Sequence, residues 1–299
     1  MIKIAWSPLY CLPLPANHRF PMVKYELIPE QLLYEGTFAQ ENFFEPGMDE
    51  IWIAATHDAA YIRKVKTGAL SRLEMRRIGF PYSHQMVQRE INIMNGTTEA
   101  ASYALEHGIA FNIAGGTHHA SRDTGEGFCI FNDIAVAATF LIETQKAKQV
   151  LVADLDVHQG NGTAKIFEHE PRVFTFSMHG TNNFPLKKTE SDLDIALSDG
   201  TGDEEYLTLL NENLQRLIRQ LQPDFIFYQA GVDVIASDKL GRLNLSLEGC
   251  RERDRLVLEQ ARVHNIPLVA VMGGGYSTSI REIVEAHCNL YRLAANIYG

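Results

Sequence analysis

Short apolar runs alternate along the chain with longer stretches in which apolar positions recur at helical spacing. The runs are continuous rather than alternating, which is typical of parallel strands covered on both faces. They predict strands over residues 2–6, 50–54, 109–113, 149–154, 172–177, 224–230 and 267–272. The helical spacing predicts helices over residues 86–107, 132–145, 203–221, 247–264 and 280–297. We therefore expect an α/β fold, a single domain over residues 1–299 with a central, mainly parallel sheet flanked by helices on both faces.

Unusual polar residues gather where the predicted strands end. Five predicted strands are each followed by such a cluster, and the clusters contain His118 and His119, Asp154 to His158, Ser177 and His179, Asp233, and Gly273 to Tyr276. In an open α/β sheet, ligands bind beyond the carboxyl ends of the strands. Two long irregular segments, 10–25 and 179–200, are also expected to be functional, as such loops in a compact domain usually are.

Asp154, Asp156 and His158 occupy alternate positions at the end of the predicted strand 149–154. Alternate side chains of an extended backbone share a face, so the three groups can converge. Two carboxylates and an imidazole suit a divalent transition metal, with zinc as the default and iron(II) as an alternative. The competing interpretation is that they cap a strand-to-helix turn. Five clusters at one edge of the sheet favour the metal site.

Asp233, in the string Gln-Ala-Gly-Val-Asp, is the candidate for a third ligand. Together with Asp156 and His158 it would leave one position open for water or substrate, as in a catalytic zinc site. Such a metal polarises a carbonyl group and activates water. A helix cap after a strand is the alternative role for Asp233.

His118, His119 and Tyr276 are the candidates for proton transfer and charge stabilisation. A histidine can act as general base near neutral pH, and Asp154 and Asn161 are candidates to orient it. The Tyr276 phenol, after three glycines, could donate a hydrogen bond to a developing oxyanion. The alternatives are a structural histidine pair and a tyrosine that only packs.

Composition narrows the class of protein. No stretch of about 18 apolar residues indicates a membrane span, and the first residues lack the pattern of a signal peptide. The four cysteines form no CxxC pair, so we expect a reducing, cytoplasmic location. The net charge of −10 gives no indication of nucleic-acid binding. Motifs of phosphate loops, dinucleotide sites, serine hydrolases and HExxH proteases are absent.

Five motifs in a fixed order resemble the histone deacetylase family: Gly115–His119, Gly127–Asp133, Asp154–Gly162, Gln229–Asp233 and Gly273–Tyr276. The segments His18–Met22 and Ile78–Ser83 resemble its class IV-like branch, which includes bacterial relatives. The resemblance implies the arginase–deacetylase fold. It also implies a zinc-dependent amidohydrolase that acts on acyl-lysine, acetylated or with longer acyl chains, in proteins or peptides.

The resemblance also assigns roles to single residues. The metal ligands would be Asp156, His158 and Asp233. His118 and His119 would form the acid–base pair, with His119 as the base. Their partners would be Asp154 and Asn161, and Tyr276 would polarise the amide carbonyl with the metal.

Further roles concern the substrate tunnel and a second ion. The resemblance places Phe128 on one wall of an acyl-lysine tunnel, with Phe184 as a candidate for the opposite wall. Gly127 and Gly274 are also expected to line this tunnel. It places Arg19 in an inner channel beneath the site. A structural potassium ion would be held by Asp154, Asp156, His158, Ser177 and Met178.

Two positions distinguish this chain, one from many deacetylase relatives and the other from arginase-like ureohydrolases. Asn161 stands where many relatives carry Asp, and because an amide cannot stabilise an imidazolium by charge, His119 should stay neutral more easily. Ile235 stands where an arginase-like ureohydrolase would need a second aspartate for its two-manganese site. A deacetylase of polyamines or other small amides remains an alternative. A binder of acyl-lysine without catalysis should have lost a ligand or the tyrosine, and all are present.

Overall fold

The computed structural model describes residues 1–299 and contains eight strands and ten α-helices. The strands are β1 (Lys3–Ala5), β2 (Phe43–Phe44), β3 (Ile109–Asn112), β4 (Val150–Asp154), β5 (Val173–Gly180), β6 (Leu193–Leu197), β7 (Phe225–Gln229) and β8 (Leu268–Val271). The helices are α1 (Lys24–Tyr34), α2 (Ile51–Thr56), α3 (Ala59–Thr67), α4 (Arg72–Ile78), α5 (His84–His107), α6 (Asp133–Glu143), α7 (Asn161–Phe167), α8 (Asp203–Leu221), α9 (Leu247–Val263) and α10 (Ile280–Tyr298). None of the helices is both long and apolar enough to cross a membrane.

All eight strands form one sheet in the order β2-β1-β3-β8-β7-β4-β5-β6, and every pairing is parallel. Alternate residues of a central strand enter two different apolar clusters. In β4, Leu151 and Ala153 belong to one cluster, while Val150 and Val152 belong to the other. Both faces of the sheet are therefore covered, which explains why the central strands are continuous apolar runs. The predicted parallel α/β sheet is confirmed.

The prediction of a strand over residues 50–54 is wrong. The residues form the helix α2, in which Ile53 is buried and the ring centroid of Trp52 lies 5.3 Å from that of Phe140 on α6. A short apolar run is compatible with either a strand or a buried helix segment, and periodicity alone does not separate them. Here the run packs on a helix rather than joining the sheet.

Sequence patterns also missed the two edge strands, β2 and β6. β6 lies inside the segment 179–200, which is predicted to be irregular. Its first four residues alternate between half-buried and exposed positions, and Leu197 is buried. β2 has only two residues. Edge strands pair on one side only, so neither carries the continuous apolar run that marks the central strands.

The parallel topology places the carboxyl ends of all strands at one edge. The loops that follow β3, β4, β7 and β8 meet there, and these four strands are neighbours in the order β3-β8-β7-β4. The loop after β3 is long and ends at α6, whose first turn is capped by the Asn132 side chain accepting from the Ala135 amide at 2.9 Å. The sheet thus brings together motifs that are far apart in sequence.

Candidate active site

Three candidate ligands converge beyond the ends of the neighbouring strands β4 and β7. Potential metal-binding atoms of Asp156, His158 and Asp233 all lie within 4.8 Å of one another, and all three side chains are buried. His158 Nδ1 lies 3.1 Å from Asp156 Oδ1 and 3.0 Å from Asp233 Oδ2. Oxygen and nitrogen donors in such a cluster match the donor set of a catalytic zinc site.

Backbone amides fix the two carboxylates. The Gly274 amide donates to Asp156 Oδ2 at 2.8 Å, and the Val157 amide donates to Asp233 Oδ1 at 3.0 Å. A Cβ atom at Gly274 would collide with the carboxylate of Asp233, and one at Gly231 would collide with that of Asp156. Gly231 and Gly274, which have no side chain, therefore let the backbone approach the two carboxylates closely.

The cluster is electrostatically suited to a cation. Burial, together with the charge of Asp156, raises the pKa of Asp233 to about 7. Burial alone would lower the pKa of His158, but Asp233 and Asp156 raise it to about 10. Two buried carboxylates need compensation by positive charge, because an isolated buried charge is costly. A divalent metal ion bound to Asp156, His158 and Asp233 would provide that charge directly.

His118 is coupled to a carboxylate. Its Nδ1 lies 2.7 Å from Asp154 Oδ2, and both side chains are buried. Burial would lower the pKa of His118, but the charges of Asp154 and Asp156 raise it to about 9. The loop that carries His118 is held by Asp133, whose Oδ1 accepts from the Thr117 amide at 2.7 Å. His118 is thus set up to hold a proton near neutral pH.

His119 has a neutral partner instead. Its Nδ1 lies 2.7 Å from Asn161 Oδ1, while Asn161 Nδ2 donates to Glu126 Oε1 at 2.7 Å. Because the amide nitrogen of Asn161 is used for Glu126, its oxygen accepts from His119, so the proton resides on Nδ1 and Nε2 keeps its lone pair. Burial and the nearby charges of His118 and His158 hold the pKa of His119 well below its ordinary value.

Tyr276 lies beside the candidate ligand cluster, on the loop after β8. Its ring centroid lies 6.3 Å from that of His158 and 6.0 Å from that of Phe128. Its backbone amide donates to Asp238 Oδ2 at 2.5 Å, and the same carboxylate accepts from the amides of Leu240 and Gly241 through Oδ1, each at 2.8 Å. Asp238 therefore joins the loops after β7 and β8 and holds the backbone that carries the Tyr276 side chain.

Two connected cavities lead to the cluster. The inner cavity reaches the side chains of Asp156, His158 and both adjacent histidines, and it is also lined by Phe20, Tyr25, Arg89, Gly274 and Tyr276. The outer cavity opens to the surface and is lined by Arg19, Arg77, His119, Glu126, Gly127, Phe128, His158, Asn182, Asn183, Phe184, Leu240, Arg242 and Tyr276. Five residues line both cavities and mark the passage between them: His119, Gly127, Phe128, His158 and Tyr276.

The expected tunnel residues lie at this passage. Gly127 and Phe128 have positive φ values of 58° and 68°, which turn the Phe128 ring into the cavity. The Phe184 ring centroid lies 4.9 Å from that of His119, and a Cβ atom at Gly127 would lie 3.3 Å from the Phe184 ring. Phe184 therefore lies against both His119 and Gly127, at the place considered for the opposite wall.

Arg19 does not lie in an inner channel beneath the site, so this expectation is corrected. It is exposed, lines the outer cavity, and places its guanidinium carbon 4.9 Å from the centroid of the Phe128 ring. The arginine of the inner cavity is Arg89 on α5, whose buried charge is matched by Glu90 at 2.5 Å. A buried guanidinium needs a carboxylate partner of this kind. Arg19 forms no salt bridge, which is consistent with its exposed position.

The residues expected to hold potassium lie on β4, β5 and the loop after β4. Ser177 is the register partner of Asp154, and Met178 follows it in β5. Both side chains are buried, and Ser177 Oγ lies 2.9 Å from His179 Nδ1.

Sequence reasoning missed several residues that support the site. Lys24 is fully buried, and its ammonium donates to the Gly273 carbonyl at 2.9 Å, next to the ring of Tyr276. Asp133 and Asp238 hold the flanking loops, as described above. Asp133 closes the Gly127–Asp133 motif and could have been found there. Lys24 and Arg89 lie in ordinary helical sequence, which carries no signal of their burial.

Comparison with known proteins agrees with this geometry. A family model described as "Histone deacetylase domain" matches residues 18–291. The chain belongs to the histone deacetylase family. It is 43% identical to an uncharacterized protein of Picosynechococcus sp. over 99% of both chains. It is 32% identical to histone deacetylase 2 of Arabidopsis thaliana, over 92% of this chain and 74% of the relative.

Two solved structures share the fold of this family member. An HDAC homologue complexed with SAHA matches with a TM-score of 0.86 and 23% identity, over 99% of this chain and 84% of that chain. The HDA15 HD domain matches with a TM-score of 0.83 and 19% identity, over 99% and 88% of the two chains. The deacetylase motifs of the sequence therefore occur on the fold that this family uses.

Proposed function

We propose that this member of the histone deacetylase family hydrolyses the amide bond of acyl-lysine with the help of a bound divalent metal. The observation that carries the proposal is the buried cluster of Asp156, His158 and Asp233 at the end of a cavity that also exposes two imidazoles and a phenol. Zinc is the metal expected for this donor set, and iron(II) would suit it as well. When bound, the metal would polarise the amide carbonyl and make water more acidic.

Three side chains of the protein carry out proton transfer and stabilise the developing negative charge. His119 Nε2, with its free lone pair, accepts a proton from the water that attacks the amide carbon. The Tyr276 hydroxyl donates a hydrogen bond to the oxygen that gains negative charge in the transition state. His118, held protonated by Asp154, supplies a proton to the departing lysine amine. The low pKa of His119 and the pKa of about 9 of His118 support this division.

The surroundings of the site support the same proposal. Phe128 and Phe184 form the walls of the tunnel that holds the aliphatic part of acyl-lysine. Asp154, Asp156, His158, Ser177 and Met178 would hold a structural potassium ion through carboxylate, hydroxyl and carbonyl oxygens. The four cysteines are all free, which supports a reducing, cytoplasmic location. We assign the whole chain, residues 1–299, to a single catalytic domain.

The test is a substrate panel assayed with defined metals. The metal-free protein is reconstituted with zinc or iron(II) and offered acetyl- to myristoyl-lysine peptides beside acetylated polyamines. We expect hydrolysis of at least one acyl-lysine peptide that depends on added metal and is inhibited by SAHA, the compound bound to the similar HDAC homologue. Metal-independent turnover, or turnover of polyamines alone, would contradict the proposal.

A further inference from the structure

The mouth of the outer cavity carries a charge opposite to that of the whole protein. The chain has a net charge of −10, yet three arginines line this cavity: Arg19, Arg77 and Arg242. Glu126 is the only carboxylate among its lining residues. Clustered charge of one sign at the entrance of a cleft attracts ligands of the opposite sign, even on a protein of like overall charge.

Two of the three guanidinium groups are not neutralised by the protein. Arg19 and Arg77 form no salt bridge with any carboxylate of the chain. Arg242 pairs with Asp199 at 3.2 Å, and both side chains are largely exposed, so this pair is weak and exchangeable. The carboxylate of Glu126 is engaged on the side of the catalytic loop, where it accepts from Asn161.

The arginines are positioned around the tunnel rather than scattered. Arg19 lies over the Phe128 ring, with its guanidinium carbon 4.9 Å from the ring centroid. The Arg77 carbonyl accepts from the Gly127 amide at 3.0 Å, which anchors the end of α4 beside the same tunnel wall. Arg242 belongs to the loop after β7, which also contributes Leu240 to the cavity lining. Three separate segments thus surround the entrance with positive charge.

We propose that this cationic mouth selects acyl-lysine in an acidic peptide, whose flanking carboxylates face Arg19, Arg77 and Arg242. The inference rests on the proposed function and specifies which acyl-lysine substrates the enzyme would prefer. Acetylated polyamines carry their remaining charge as ammonium groups, so the same mouth disfavours them. The arginines attract the carboxylates of an acidic peptide and repel the ammonium groups of a polyamine, while the tunnel binds the acyl-lysine side chain.

The test uses three acetyl-lysine peptides that differ only in two flanking residues, which are both Asp, both Asn or both Lys. For the wild-type protein we expect kcat/KM to fall in the order Asp, Asn, Lys. The preference should shrink as the salt concentration rises from about 0.05 M to about 0.5 M, because exposed charges are then screened. Acetylspermidine, as a cationic small molecule, should be a poorer substrate than the Asp peptide.

Charge-removing variants connect this preference to the mouth. Arg19→Gln and Arg77→Gln should each reduce the ratio of kcat/KM between the Asp and Asn peptides by about two- to fivefold, the scale of an exposed ion pair. Arg216→Gln serves as the matched control, since Arg216 is exposed on α8 and lies outside the cavity lining. That control should leave the ratio unchanged.

Equal kcat/KM values for the three peptides, or a preference that survives both mouth variants, would overturn the inference. Faster turnover of acetylspermidine than of the Asp peptide would overturn it as well. If no peptide is hydrolysed, the proposed function is wrong. The inference about the cationic mouth is then tested separately, by measuring peptide binding. Fluorescence anisotropy should then show tighter binding of the Asp peptide to the wild type than to Arg77→Gln, and equal binding would contradict it.

Discussion

The floor and the mouth of the cavity are both built from charged residues, but they follow different physical rules. At the floor, Asp154, Asp156 and Asp233 are buried, and each carboxylate accepts hydrogen bonds from a backbone amide or an imidazole. At the mouth, Arg19 and Arg77 are exposed, and water solvates their charge. Burial makes every unpaired charge costly, so the floor must be fixed in detail, while the mouth need not be.

This difference predicts how strongly each region responds to substitution. A change at the floor removes a partner from a group that has no access to water, so the loss is large. A change at the mouth removes a charge that water and salt already screen, so the loss is small. Substitutions ordered from the floor outward should therefore show steadily smaller effects.

Asp156→Ala should have the largest effect. Asp156 provides an oxygen to the candidate ligand cluster and also accepts a hydrogen bond from the Gly274 amide, so its removal should eliminate a proposed metal ligand and loosen the loop that carries Tyr276. We expect metal and activity to be lost together. Metal content after dialysis, measured by atomic emission, and turnover of an acyl-lysine peptide check this.

Asp49→Ala is the matched control for this prediction, because Asp49 is an exposed aspartate outside the ligand cluster and outside the lining of both cavities. It should keep its metal and its activity. A metal-loaded and fully active Asp156→Ala protein would contradict the assignment of Asp156 as a ligand.

Tyr276→Phe should have the next largest effect. The phenol lies beside the ligand cluster but is not part of it, so the metal should remain bound. Loss of one hydrogen-bond donor to an oxyanion lowers kcat by about 10²- to 10³-fold. Steady-state kinetics with unchanged metal content would distinguish this role from a structural one, and full kcat in the variant would exclude it.

Asn161→Asp should change the pH dependence rather than abolish activity. A carboxylate facing His119 Nδ1 favours the imidazolium, so the pKa of His119 rises from its present low value. A general base acts when neutral, so the acid limb of the profile of log kcat/KM against pH should move to higher pH, by on the order of one unit or more. An unmoved acid limb would mean that His119 is not the base.

Asp133→Asn is the control that separates displacement of the histidine loop from a change in the pKa of His119. Asp133 holds the preceding residues, Gly116 and Thr117, by their backbone amides, and it does not contact His119. It should lower activity through a displaced loop without the same shift of the acid limb.

The floor was predictable from the sequence, whereas the mouth was not. Asp156, His158 and the adjacent histidines follow strands whose continuous apolar runs locate the carboxyl edge, and parallel pairing brings them together. Arg19, Arg77 and Arg242 lie on three loops or helix ends with no common pattern. The family resemblance implies Arg19 in the inner channel, but the arginine there is Arg89, because sequence does not tell which arginine has a buried carboxylate beside it.

The errors in the fold have a similar cause. Residues 50–54 and β6 are short and lie at the periphery, where packing on a helix or pairing at an edge decides the structure. For strands, local pattern is decisive where both faces are buried, as in β4 and β7.

Phe184→Ala should have the smallest effect of these changes, since Phe184 lies at the boundary between floor and mouth. Its ring contacts His119 edge-on and is 39% exposed, and its proposed contact with the substrate involves no charge. Apolar contact of the aliphatic part of the substrate with this ring, at roughly 25 cal/mol per Å² buried, is expected to contribute about 1 kcal/mol, so its loss should raise KM about fivefold. Because the contact exists before and during the reaction, kcat for an acetyl-lysine peptide should change little. Steady-state kinetics with acetyl and longer acyl peptides measure both constants, and a fall in kcat as large as that of Tyr276→Phe would place Phe184 with the catalytic floor instead.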